Sequence, residues 1–171
     1  MNGPILSIIT VNFNNNLGLL KTLESVSSQS FSSYEHIIID AGSTDGSRET
    51  IIQYEKENPH LSFWSSESDK GIYDGMNKGI DHAKGQYLYF LNSGDCLSQD
   101  ILAKIPFDGT EYLYGDTILF YKRKTKKRVY PDTLDLIYLS DNSLHHQSCF
   151  IHHTLFKDKR YDINYKIISD W

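Results

Sequence analysis

Ile5-Leu6-Ser7-Ile8-Ile9-Thr10-Val11-Asn12-Phe13-Asn14 is the stretch that decides the fold. Its first seven residues are apolar or small and rich in β-branched types. A run of this kind reads as a strand covered on both faces, as in a parallel sheet sandwiched between helices. It then gives way to Asn12-Phe13-Asn14. Working outward, Leu19, Leu23 and Val26 recur at helical spacing. Ile37-Ile38-Ile39 is a second buried strand that ends at Asp40. Gly42-Ser43-Thr44-Asp45-Gly46-Ser47 follows, rich in turn and N-cap residues, and leads into a helix carrying Ile51 and Ile52. Leu61–Trp64 reads as a third strand. Ile72, Met76, Ile80 and Ala83 share one helical face, with Gly85 expected just past the helix end. Tyr87–Leu91 is another buried strand.

Alternation of strand and helix predicts an α/β fold, a mixed but mainly parallel sheet flanked by helices. Ligands of such sheets sit beyond the carboxyl ends of the strands, where the strand order switches. The residues that end each strand therefore matter most: Val11 with Asn12-Phe13-Asn14, then Asp40, then Asn92-Ser93-Gly94-Asp95. After about residue 105 the pattern changes. Tyr112–Phe120, a basic turn and Val129-Tyr130 read as an antiparallel excursion, and Gln147–His152 as one more short strand.

Length and composition narrow the class. One domain is expected over the 171 residues, which are 39% hydrophobic and 23% charged, an ordinary globular balance. No apolar run approaches the ~18 residues of a membrane helix, and no basic region precedes the first apolar segment as in a secretory signal. Cys96 and Cys149 are too few for a disulfide scaffold, so a reducing cytoplasm is the expected compartment. The net charge is −5, yet Lys122–Arg128 is basic at every position except Thr125. Outside that run the chain is acidic, which argues against nucleic acid as a partner. The run itself has two readings: the solvated tip of a hairpin, or a contact with phosphates of a lipid-linked acceptor or an anionic membrane surface.

Two carboxylates lie on the expected ligand edge. Asp95, in a loop narrowed by Gly94, can hold a hard divalent cation whose remaining ligands come from a diphosphate, or it can cap a helix. Asp40 can accept hydrogen bonds from a base or ribose, or cap the following turn. There is no Gly-x-Gly-x-x-Gly and no P-loop, so a nicotinamide cofactor and a Walker-type nucleotide site are not supported. His145, His146, His152 and His153 do not have the spacing of a zinc site.

Four segments, in this order and spacing, resemble the family 2 glycosyltransferases of the GT-A fold, in particular those that build bacterial surface polysaccharides. They are Ser7–Asn14, Asp40–Ser47, Asp69-Lys70-Gly71-Ile72-Tyr73-Asp74-Gly75-Met76-Asn77-Lys78-Gly79, and Leu91-Asn92-Ser93-Gly94-Asp95. The likeness is strong over residues 5–97, weak over roughly 100–143, and returns at His146-Gln147-Ser148 and from Tyr161 to Asp170. It implies a nucleotide-binding half at about residues 1–98 and an acceptor-side half at about 99–171.

The resemblance implies a nucleotide-diphospho-sugar donor, a uridine one, and a saccharide or lipid-linked saccharide acceptor. It places Val11, Asn12, Phe13, Asp40, Asp69, Lys70, Asn77, Ser93 and Gly94 around the donor, with Asn12 and Phe13 along the base and Asp40 on base and ribose. It makes Asp95 the last aspartate of an Asp-x-Asp-like motif for Mg²⁺ or Mn²⁺, with His146 near the metal or phosphates, and Asp170 the catalytic base. Asn92 and Gly94 stand where many members have aspartates, so coordination leans on Asp95. Chemically, the metal neutralises charge on the departing diphosphate while a carboxylate deprotonates the attacking hydroxyl, and one displacement inverts the anomeric carbon. Family members continue well past Trp171, so a C-terminally truncated domain with a nearly complete donor site is expected. Two other classes are a sugar nucleotidyltransferase, whose Gly-rich basic loop Asn12–Leu17 lacks, and a non-catalytic sugar-nucleotide-binding module.

Overall fold

A computed structural model of the chain describes residues 3–121 and 124–165. The elements run β1 (Leu6–Asn12), α1 (Asn16–Ser27), β2 (Tyr34–Asp40), α2 (Ser47–Glu57), β3 (Leu61–Ser66), α3 (Ile72–His82) and β4 (Tyr87–Phe90). They continue as β5 (Tyr112–Tyr114), β6 (Thr117–Tyr121), β7 (Lys124–Arg128), α4 (Leu136–Asp141) and β8 (Cys149–His152). Six strands form one sheet in the order β3-β2-β1-β4-β8-β5. β1 pairs parallel with β2 from Leu6↔Tyr34 to Asn12↔Asp40, and parallel with β4 from Leu6↔Tyr87 to Ile9↔Phe90. β8 runs antiparallel to both β4 and β5. The chain steps outward from β1 to β2 and β3, then crosses back to β4 on the other side. The strand order therefore switches between β1 and β4, where the fold class places a ligand.

Both faces of β1 are covered. Leu6 and Ile8 pack with Val26 of α1, Tyr87 and Tyr89, whereas Ile9 and Val11 pack with Met76 and Ile80 of α3. Helix α3 comes unusually near the sheet because Gly75 and Gly79, one turn apart, present no side chain there. A Cβ on Gly79 would lie 2.3 Å from Ile9 Cγ2. Gly85 has a different role from the helix-ending one its position suggests. Its φ is not in the left-handed region, Ala83 ends α3 in an extended conformation, and a Cβ on Gly85 would lie 2.5 Å from Ser7 N. Glycine is needed at 85 for backbone contact with β1.

The interior also carries a polar relay. Thr10 Oγ1 lies 2.9 Å from His36 Nε2, and His36 Nδ1 lies 3.1 Å from the Tyr54 hydroxyl of α2. Burial drives the His36 pKa down to about 3, so this imidazole is neutral in the folded protein.

Beyond residue 105 the antiparallel excursion is present but divided. β5 joins the main sheet, whereas β6 and β7 pair only with each other. Lys124–Arg128 of the basic run form β7 itself instead of lying in a turn. Gln147 and Ser148 belong to a 3₁₀ turn, and the strand starts at Cys149. Among the described residues no helix is long and apolar enough to cross a membrane.

Candidate functional site

At the switch point lies a cleft of about 550 Å³. Its walls are Val11, Asn12 and Phe13 at the end of β1, Ala41 after β2, Ser68, Asp69 and Gly71 ahead of α3 with Ile72 opening that helix, and Asn92 and Ser93 after β4. The sheet explains the assembly. Parallel neighbours end at one edge, so each apolar strand delivers its first polar residues to the same place.

The β1–β2 side is rigid. Asp40 is fully buried, and both its oxygens are engaged. Oδ1 accepts from Asn12 Nδ2 at 2.7 Å and from Ser43 Oγ at 2.5 Å, and Oδ2 accepts from Ser43 N at 2.9 Å and Ser66 Oγ at 2.6 Å. Burial by itself would raise the pKa of this carboxyl; the donors from Ser43, Ser66 and Asn12 outweigh it and hold the group below its ordinary value. Asp40 thus stands behind Asn12 and Ala41 as the knot joining three segments. Asn12, itself buried, turns its donor toward Asp40 and keeps a buried Oδ1 with no partner among the described residues. Phe13 stands at the rim, 64% exposed.

The β4 side is more open. The Asp95 carboxyl is raised above its ordinary value, chiefly by burial, against opposing contributions from a Gln147 side-chain hydrogen bond and from nearby His146 and His145. Its loop is pinned from α1. Gly94 N–H donates to Thr22 Oγ1 at 2.9 Å, the Asp95 carbonyl lies 2.8 Å from that hydroxyl, and Asn15 Nδ2 donates to the Ser93 carbonyl at 2.9 Å. Asn92 Nδ2 lies 3.0 Å from His146 Nε2, which leaves the buried Asn92 Oδ1 as a second spare acceptor. Among the described residues no three His, Cys, Asp or Glu side chains converge on one point. The donors present are one carboxylate, a spare amide oxygen and a histidine. Such an oxygen-rich, partial set fits Mg²⁺ or Mn²⁺ shared with a ligand's phosphates and does not fit a metal held by protein alone.

Of the residues expected around the donor, Val11, Asn12, Phe13, Asp69 and Ser93 line the cleft. Lys70 is exposed, its N–H donating to Asp74 Oδ2 at 3.1 Å. Asn77 faces elsewhere: its Nδ2 donates to the Tyr161 carbonyl and its Oδ1 accepts from Tyr161 N–H, both at 2.9 Å. Asp170 lies outside the described residues. The Asp69–Lys78 segment, expected to form one wall of the donor site, supplies Asp69, Gly71 and Ile72, whereas Ala41, Ser68 and the pinning residues Ser43, Thr22 and Asn15 were given no role by the sequence. Asn15 carried a usable signal as the N-cap of α1, accepting from Gly18 N; Thr22 carried none. His146 is also one wall of a smaller cavity, about 230 Å³, lined by Tyr112, Leu134, Leu139, Leu144, Ile151 and Tyr161.

The model of a family described as "Glycosyl transferase family 2" matches residues 7–153. An "Uncharacterized glycosyltransferase" of Mycobacterium tuberculosis is 42% identical over 103 residues, covering 59% of this chain and 38% of the relative. A "PGL/p-HBAD biosynthesis glycosyltransferase" of Mycobacterium bovis is 30% identical over 179 residues, covering 100% of this chain and 68% of the relative. The chain therefore spans between 38% and 68% of the length of these two relatives. Among solved structures, Staphylococcus aureus TarS 1-349 in complex with UDP superposes with a TM-score of 0.76 at 18% identity, covering 96% of this chain and 52% of that one. The mannosyltransferase PcManGT of Pyrobaculum calidifontis, in complex with GDP-Man and Mn²⁺, gives 0.54 at 21% identity over 59% of this chain and 31% of that one. At such identities the superpositions speak to the fold, which is of the GT-A type.

Proposed function

This chain belongs to glycosyl transferase family 2, and from that premise we propose that it moves a sugar from a uridine-diphosphate donor to a saccharide or lipid-linked saccharide acceptor of a bacterial cell surface. The observation that carries this reading is the cleft at the switch between β1 and β4, with spare acceptors on Asn12 and Asn92 and a carboxylate at Asp95 beside it. The UDP and GDP-Man complexes of the two structural neighbours support a nucleotide-sugar donor, and the Mn²⁺ of the second supports metal use.

In this reading the nucleobase lies against Phe13, and Asn12 Oδ1 accepts from a base or ribose donor. Asp40 keeps Asn12, Ser43 and Ser66 in place from behind. Asp95, Asn92 Oδ1 and His146 are the groups that would hold Mg²⁺ or Mn²⁺, His146 exchanging its Asn92 contact to do so. Bound there, the metal would supply counter-charge to the leaving diphosphate. Thr22 and Asn15 keep the loop from yielding when the phosphates arrive, which is the positioning that transfer requires. The hydroxyl of the acceptor loses its proton as it attacks the anomeric carbon, and inversion follows from a single displacement. Asp170 is the proposed base for that proton.

A thermal-shift series with uridine, guanosine and thymidine diphosphates, each with and without Mn²⁺, tests the donor. The largest shift is expected with uridine diphosphate plus Mn²⁺, and a larger one with guanosine diphosphate overturns the base assignment. Release of uridine diphosphate from a UDP-sugar in the presence of saccharide acceptor separates an enzyme from a binding module.

A further inference from the structure

The hairpin of β6 and β7 has a surface that the donor site does not use. Pairing places Ile118 opposite Lys127 and Phe120 opposite Thr125 on one face, with Leu119 opposite Lys126 and Tyr121 opposite Lys124 on the other. Thr117 and Leu119 are half-buried, so their face turns toward the protein. The outward face therefore carries Ile118 and Phe120, exposed by 47% and 80%. This inverts the usual pattern of apolar side chains inward and polar ones outward. Tyr121 and Val129 add exposed apolar area at the two ends of the ribbon.

Cations surround this apolar ridge. Lys127 is paired with Asp116 at 2.7 Å, and Arg128 sits over the Tyr130 ring, 5.6 Å from its centroid. Lys124 and Lys126 form no ion pair among the described residues and are exposed. A chain with net charge −5 thus concentrates cations around Phe120, the most exposed aromatic side chain among the described residues. We propose that this hairpin docks on an anionic lipid bilayer, Phe120 and Ile118 entering the headgroup region while the lysines meet lipid phosphates.

Long lysine stems let both rows of the ribbon reach the surface with their ammonium groups still hydrated. Apolar insertion combined with several juxtaposed cations is what interfacial binding needs, since neither alone holds a protein at a membrane. A second copy of the chain is a poor occupant: β7 is an edge strand carrying lysines, which repels an identical strand. Nucleic acid is a poor one as well, because the basic area is one short ribbon on an acidic protein. This inference is independent of the donor assignment.

Co-sedimentation with lipid vesicles tests it. The full chain is expected to bind vesicles containing one-third phosphatidylglycerol and to bind pure phosphatidylcholine vesicles far less, with the difference shrinking in high salt. The double variant Lys124→Gln/Lys126→Gln should bind about 25-fold less, at about fivefold per cation. Phe120→Ser should bind about tenfold less. Both variants should keep the wild-type melting temperature and circular dichroism spectrum, which shows that they fold. Equal binding to the two vesicle types, no binding to either, or anionic binding unchanged by both variants overturns the proposal. So does concentration-dependent self-association without vesicles that Phe120→Ser abolishes, which would assign the ridge to a second copy.

Discussion

Every residue of β1, β2 and β4 is buried, and no residue of β5, β6 or β7 is. The two regions belong to one chain, yet they are organised on opposite principles. In the first, the ligand edge is braced by interior hydrogen bonds: Asp40 ties Asn12, Ser43 and Ser66 together, and Thr22 and Asn15 hold the loop before Asp95. In the second, apolar side chains face outward and the main pairing is one strand with its neighbour. A two-stranded ribbon of that kind is marginal by itself. The difference suits a division of labour in which one region presents a fixed shape and the other adapts to what it meets.

The contrast is open to attack, most strongly at Asp40. Asp40→Ala strands the buried donors of Asn12, Ser43 and Ser66, so urea unfolding should show a loss of about 4 kcal/mol, with nucleotide binding weakened whether or not metal is present. A variant of unchanged stability would mean that this edge is no more braced than the hairpin.

The next effect is one of acidity. Unfolded, His36 takes up a proton below its ordinary pKa of 6.5; folded, it stays neutral down to about 3. Unfolding therefore binds a proton between those values, and stability falls as pH falls, by up to ~1.4 kcal/mol per pH unit. Denaturation at several pH values should show this, and His36→Gln, less stable throughout, should have a shallower dependence. An equally steep dependence in the variant would assign the acid sensitivity to carboxylates alone.

Asp95→Ala probes the open side of the cleft. Because this residue is only partly buried, the fold should lose less than ~1 kcal/mol. Calorimetry should then find the metal-dependent increment of uridine diphosphate binding gone. Retention of the full increment would make Asp95 a cap. The smallest effect belongs to the hairpin: Phe120→Ser should shift the melting free energy by no more than ~0.5 kcal/mol, since nothing buried is lost.

The same contrast explains what could be read from the sequence. β1, β2, β4 and the first three helices were legible because burial on both faces demands apolar runs and helical spacing, and local chain records both. The site edge was legible for the same reason, as the first polar residues after each run. Contacts between distant residues were not legible. Nothing local to Asn77 indicates that it binds the backbone of Tyr161, and nothing local to Thr22 marks it as the support of Gly94. Gly85 shows how a correct residue can carry the wrong reason, because a helix end and a tight backbone contact both ask for glycine. Asp40 was recognised as part of the edge, but its depth depends on Ser66, 26 residues away. In the second region the strands are short and exposed, so no periodicity separated β5, which joins the sheet, from β6, which does not.

The paired bonds between Asn77 and Tyr161 bear on how such a protein can change. One amide reads both the N–H and the carbonyl of one distant residue, and so fixes the register of the returning chain against α3 to a single position. The surface segments between β5 and His145 can then lengthen, shorten or be exchanged while the strands on either side stay in alignment. The hairpin of β6 and β7 and the chain after it are thus the part free to vary, whereas β5, His146 and Gln147 are tied to the sheet and to the loop of Asn92 and Asp95.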